Sequence, residues 1–189
     1  MEVIGITGSI ATGKSTVTNY LKNKGYFVVD SDKLAYDALT IDYNCIKLTK
    51  ERFNLGNGSI DRKALGQIIF NDKQAKLDLE EIIHPYVINE IKKQINNNQN
   101  EKIIFLDIPL LFESKLEYLC DKIIVVYLNE QEEIKRLMKR DNIGETYAKT
   151  IISNQMSIEE KKVRADIVLD NSQGIEYLYD QIEKLLKGS

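Results

Sequence analysis

The sequence predicts an α/β fold, a parallel sheet covered on both faces by helices, on three observations. Continuous Val/Ile/Leu-rich runs alternate with stretches at helical spacing, which strands buried on both faces require. The first run passes directly into a glycine-bearing loop, GSIATGKS at 8–15, followed by a helical pattern. A segment from 33 to about 100 shows helical patterns and no strand pattern, so it reads as a helical insertion. At 189 residues the chain is long enough for a substantial core and short for two independent domains.

In chain order, EVIGIT at 2–7 reads as the first strand, and STVTNYLKNKG as a helix ending at Gly25. YFVV at 26–29 reads as a second strand, running into Asp30-Ser31-Asp32. Within the insertion, LAYDAL, RKALGQIIF and DLEEIIHPYVINEIKKQI read as helices, interrupted by the turn-rich NLGNGS at 54–59. His84-Pro85 marks a helix boundary there, because a residue preceding proline disfavours the helical region. INNNQN at 95–100 reads as a solvated loop closing the insertion. Strands resume with KIIFLD at 102–107, DKIIVVYL at 121–128 and DIVLDN at 166–171. A charged helical stretch at 130–164 and an amphipathic helix, GIEYLYDQIEKLLK, complete the chain.

Composition narrows the function. Hydrophobic residues make up 43% and charged residues 29%, an ordinary soluble balance. A net charge of −3 gives no bulk footprint for nucleic acid or an anionic membrane. An anionic ligand must therefore be held by a local cluster. Cys45 and Cys120 stand far apart with no ligand pattern around them, and read as small apolar residues in a reducing compartment. MEVIGITG lacks the features of a secretory signal, and IIVVYL is too short to span a bilayer, so a cytoplasmic location is expected.

The chemistry is concentrated in a few motifs. Gly8-x-x-x-x-Gly13-Lys14-Ser15 has the spacing of a phosphate-binding loop. Gly8 and Gly13 let backbone N–H groups turn toward an anion, and the following helix presents its positive N-terminus to it. Lys14 reaches the β- and γ-phosphates and the Ser15 hydroxyl ligates Mg²⁺. Ala11, Thr12 and Thr16 complete the expected nucleotide-binding set. The Asp30-Ser31-Asp32 turn admits two readings: a carboxylate accepting a proton from an attacking hydroxyl, or a cap in which Ser31 or Asp32 starts the next helix. In DIPLLFE, Asp107 ends a strand where a carboxylate supports Mg²⁺, and Pro109 releases an apolar segment from Leu110 onward that lines a pocket or merely packs. Arg136 and Arg140, four apart on one helix face, are a solvated surface or cations for a transferring phosphoryl group.

Together these segments resemble the dephospho-CoA kinase family nearly end to end: GSIATGKST, VVDSDKLA, DRKALGQIIF, EIIHPYV, DIPLLFE, RLMKRD, EEKKVRAD and IVLDN. The resemblance implies a P-loop NTPase fold, nucleoside-monophosphate-kinase-like, with five parallel strands. Its core would comprise 1–32, 101–130 and 164–189, with a substrate insertion at 33–100 and a lid at 131–163. It also implies ATP and Mg²⁺ as cofactors and phosphoryl transfer to the ribose 3′-hydroxyl of dephospho-CoA, by a monomer or small homo-oligomer. Asp32 would be the base, Arg62 and His84 would belong to the substrate-binding domain, and Arg136 and Arg140 to the lid side. Two departures stand out. Ser9 and Ala11 occupy positions that are usually glycine, and Ile151 replaces an arginine of the lid, leaving Lys149 or Arg140 to serve. The readings next in line are a small kinase of the same fold acting on another acceptor, and a nucleotide-dependent switch or ATPase.

Overall fold

A computed structural model describes residues 1–56 and 58–188; Asn57 of the NLGNGS turn lies outside the described residues. The chain divides into two compact units, Met1–Val29 with Gln99–Ser189, and Asp30–Asn98.

The first unit is built on the five-strand sheet, β1 (Glu2–Gly8), β2 (Phe27–Asp30), β3 (Ile103–Asp107), β4 (Lys122–Tyr127) and β5 (Ile167–Asp170), in the order β2-β3-β1-β4-β5. The β1–β3, β1–β4 and β4–β5 pairs are parallel. Each strand falls within a residue or two of its Val/Ile/Leu run, and β3 is buried at every position. On one face, α1 (Lys14–Asn23) and α9 (Ile175–Lys187) seal a core of Ile4, Ile6, Val17, Leu21, Phe105 and Leu178. Tyr20 of α1 and Tyr179 of α9 stack with centroids 4.2 Å apart. The charged stretch resolves into α6 (Glu130–Asp141), α7 (Glu145–Ser153) and α8 (Ile158–Arg164). Asn142, at a φ of 53°, ends α6, and the Ser157 hydroxyl caps α8.

The second unit is helical: α2 (Ser31–Ala38), α3 (Tyr43–Phe53), α4 (Arg62–Asn71) and α5 (Lys73–Asn97). Each of the four is N-capped by an aspartate, Asp30, Asp42, Asp61 and Asp72 respectively, accepting from backbone N–H groups of the first turn. Such a cap contributes ~1 kcal/mol. The structure corrects the sequence reading here: Asp30, not Ser31 or Asp32, caps α2, because the strand runs one residue further and the turn is correspondingly tighter.

Two boundaries also differ. His84-Pro85 does not end a helix; Pro85 lies inside α5. Proline there removes one backbone bond and costs ~3 kcal/mol, but Leu79 before it and Val87 and Ile91 after it are buried, and each such side chain returns ~1.5–3 kcal/mol. Packing on both sides carries the helix through. The INNNQN loop is shorter than expected for a related reason: α5 continues to Asn97, and the Asn98 side chain donates to the Gln94 carbonyl at 2.7 Å.

Cys45 and Cys120 are free, and burial pushes both thiols up to about 12, so neither is poised to react. Among the described residues no helix is long and apolar enough to cross a membrane.

Candidate active site

β1 delivers the chain into the loop Ser9–Gly13 at the carboxyl edge of the sheet, and α1 begins at Lys14. The two loop glycines solve different problems. Gly13 sits at a φ of 99°, in the left-handed region, and a Cβ there would overlap the Asn171 side-chain amide. Gly8 is ordinary strand backbone; what it lacks is room, since a Cβ would stand 2.7 Å from Thr12 Oγ1 and 2.9 Å from the Val126 carbonyl. Ala11, unlike glycine, carries a Cβ at a φ of 62°, a conformation an L-residue holds only where its surroundings enforce it. Thr12 Oγ1 donates to the Ser9 carbonyl at 2.9 Å, and Asn171 Nδ2 donates to the Thr12 carbonyl at 2.8 Å. The loop is thus tied to itself and to the end of β5.

Lys14 opens α1 and donates to Asp107, the buried last residue of β3. A strand-end carboxylate and the loop lysine therefore meet above adjacent strands β1 and β3. Ser15 is exposed and Thr16 half-buried in the first turn of α1. Pro109 ends the ladder as expected, but its carbonyl is structural, accepting from Thr7 Oγ1 at 2.9 Å and from Lys161 Nζ at 3.0 Å. Leu111 and Phe112 are buried as core, so of the apolar segment only Pro109 and Leu110 remain half-buried. Of LLF, Leu111 and Phe112 pack into the core rather than line a pocket.

Lys161 of α8 is wholly buried. Its ammonium donates to the Gly8 carbonyl at 3.3 Å and the Pro109 carbonyl, and pairs with Glu113 at 2.9 Å. Glu113 accepts in turn from the Met156 N–H at 3.0 Å. One cation therefore fastens the end of β1, the turn after β3 and the α7–α8 connection.

α6 grips the loop from the other side. Glu133, also wholly buried, accepts from the Ser9 hydroxyl. Burial pushes its carboxyl up to about 7, with the Ser9 bond opposing. Arg136 donates to the Asn171 carbonyl at 2.8 Å, and Asn171 holds Thr12. Ile10 and Ala11 pack against a cluster of Ile134, Leu137, Ala148 and Ile152, joined by Ile151. Ala11 of the loop and Ile151 of α7 thus pack against one and the same apolar cluster. Arg140, expected on the face of Arg136, is instead exposed and bonds bidentately to Asp141, whose carboxyl it holds below the usual range. Lys149 is paired with Glu145 at 2.6 Å on the surface of α7.

In the second unit, Asp32 lies exposed in the first turn of α2, one turn before Tyr36. The Arg62 guanidinium stands 4.3 Å from the Tyr36 ring centre, which sets Arg62 of α4 against the α2 face that Asp32 and Tyr36 share. His84 is half-buried within α5. A separate open cavity of about 880 Å³ lies between α3 and α5, lined by Asp42, Cys45, Glu51, Asp78 and Tyr86 among others.

Sequence reasoning missed Ser9 with Glu133, Lys161 and Asn171. Asn171 had a usable signal, since it follows a strand at the edge where α/β folds bind ligands. Lys161 and Glu133 had none, being one lysine and one glutamate in a run of charged residues.

The family model for dephospho-CoA kinase matches residues 2–176. A dephospho-CoA kinase from Carboxydothermus hydrogenoformans is 42% identical over 193 aligned positions, covering 99% of this chain and 94% of the relative. Among solved structures, dephospho-CoA kinase from Campylobacter jejuni superposes with a TM-score of 0.72 at 34% identity, covering 98% and 95% of the two chains. A Thermus thermophilus protein superposes with a TM-score of 0.85 at 33% identity, covering 99% and 97%.

Proposed function

The chain belongs to the dephospho-CoA kinase family, and on that premise we propose that it transfers the ATP γ-phosphoryl group to the ribose 3′-hydroxyl of dephospho-CoA in the cytoplasm, giving CoA and ADP. The observation that carries this reading is the Lys14–Asp107 pair at the mouth of a loop whose backbone is fixed from three directions. Catalysis of phosphoryl transfer is chiefly positioning and electrostatic stabilisation, and a fixed cradle with a buried carboxylate beside its lysine supplies both.

Ser15 and Asp107 offer a hydroxyl and a carboxylate, the hard oxygen donors that suit Mg²⁺. When bound, Mg²⁺ neutralises charge on the phosphate oxygens. Asp107 would support the metal while orienting Lys14 toward the β- and γ-phosphates. Gly8, Ala11, Thr12, Gly13 and Thr16 would line the nucleotide, with loop amides and the α1 N-terminus facing the anion. Arg136 and Arg140 would meet charge on the transferring group; Arg140 must exchange Asp141 for it. Asp32, by the family resemblance, would orient the acceptor hydroxyl and take its proton. Arg62, His84, Pro109 and Leu110 would bind the acceptor.

ADP release from Mg-ATP tests the reading, run without acceptor, with dephospho-CoA, and with a panel of nucleosides and nucleoside monophosphates. Release only with dephospho-CoA is expected. Release only with another acceptor would keep the kinase and overturn the substrate, and acceptor-independent release would make the protein an ATPase.

A further inference from the structure

Glycine at position 9 could not make the bond that Ser9 makes to Glu133. Ser9 is buried directly after β1, and its hydroxyl donates to Glu133 Oε1. Glu133 Oε2 is buried too, with no hydrogen-bond partner among the described residues. The polar groups facing this carboxyl are Ser9 from the loop, Glu130 from one turn earlier on α6, and Lys161 from α8. Lys161 is itself committed to two carbonyls and Glu113. Next along the loop, Ile10 and Ala11 are packed on α6 and α7, so Ser9 is the polar end of a contact that runs the length of the loop's first half.

We infer that Glu133 is a positioning residue for nucleotide binding: through Ser9 it fixes the first half of the phosphate loop, and bound nucleotide favours its neutral acid. The inference deepens the proposed function and rests on its nucleotide-binding part. A carboxylate one side chain behind the loop sets a negative charge against the polyphosphate the loop is built to receive, whereas the acid keeps an oxygen to accept from Ser9 and adds no charge. Nucleotide binding therefore favours the protonated form, and at a pH where the free protein holds the carboxylate, binding takes up as much as one proton from solvent. Burial has already moved the carboxyl to about 7, inside the working range of an enzyme. Below that value the acid is present before nucleotide arrives. Above it, affinity falls as pH rises, by as much as about tenfold per pH unit.

The test is titration with a fluorescent, non-hydrolysable ATP analogue and Mg²⁺ at pH 6.5, 7.5 and 8.5, on the native chain and on Glu133→Gln and Ser9→Gly. The native chain should weaken about tenfold or more across the range. Glu133→Gln keeps an oxygen for Ser9 without the charge, so its affinity should stay flat apart from the nucleotide's own titration, and at pH 8.5 exceed that of the native chain. Ser9→Gly should bind about fivefold to tenfold more weakly, as expected for one lost hydrogen bond. Should Glu133→Gln not fold, calorimetry of the native chain in buffers of different ionisation enthalpy reads the proton uptake directly. Parallel pH profiles in native and Gln variants, or no proton uptake, would overturn the inference while leaving the nucleotide site standing. Failure of every protein to bind the analogue at any pH would overturn the nucleotide reading beneath it.

Discussion

The two units employ their polar side chains in opposite ways. In the sheet unit, Lys161, Glu133 and Asn171 are buried, and each bonds to a residue distant in sequence: Lys161 to Gly8 and Pro109, Glu133 to Ser9, Asn171 to Thr12. In the helical unit the recurring polar bonds are local, four aspartate caps reaching two or three residues ahead, and Arg62 lies exposed over an exposed tyrosine. Long-range bonds between buried groups fix a backbone shape; caps fix only where a helix starts. That difference suits the proposed function, in which one unit would hold a phosphate chain to tight tolerance and the other would present side chains to a larger acceptor.

The largest expected effect that sharpens the contrast is kinetic. Asp32→Asn, in the helical unit, should lower turnover by ~10²–10⁴-fold while leaving ATP affinity nearly intact, whereas Lys14→Met should weaken both. Steady-state rates beside nucleotide titrations read the two patterns, and normal turnover in Asp32→Asn would remove that residue from the base role. Next comes stability. Lys161→Ala strands the half-buried Glu113 and two carbonyls and should cost ~3–5 kcal/mol in urea unfolding, against ~1 kcal/mol for Asp61→Ala, a cap. Equal losses would erase the distinction between long-range and local bonding. The smallest effect belongs to Arg62→Ala, which should cost ~0.5–1 kcal/mol of stability from the lost ring contact while raising KM for dephospho-CoA and sparing KM for ATP. Unchanged KM for both would take Arg62 out of the acceptor site.

The same contrast governs how much was readable beforehand. The strands and the phosphate loop were legible because hydrophobic runs and glycine spacing are local signals, and Lys14 and Asp107 follow from their places at a helix start and a strand end. The course of α5 through Pro85 was not, because the burial of Leu79, Val87 and Ile91 that sustains it is decided by packing rather than by the dipeptide. The shared face suggested by the spacing of Arg136 and Arg140 likewise gave way to different partners, a carbonyl after β5 for one and the adjacent aspartate for the other. Glu133 and Lys161 lay beyond reach altogether: on the charge-rich helices α6 and α8, only the fold distinguishes the glutamate and the lysine that turn inward.

The most direct measurement is phosphorus NMR of the product formed from dephospho-CoA and Mg-ATP, with the pantetheine pyrophosphate signals as internal reference. A single new phosphomonoester resonance, coupled to the ribose 3′ proton and equal in amount to the ADP formed, is the predicted result. Inorganic phosphate in its place, or a phosphoryl group on any other hydroxyl, would contradict the account.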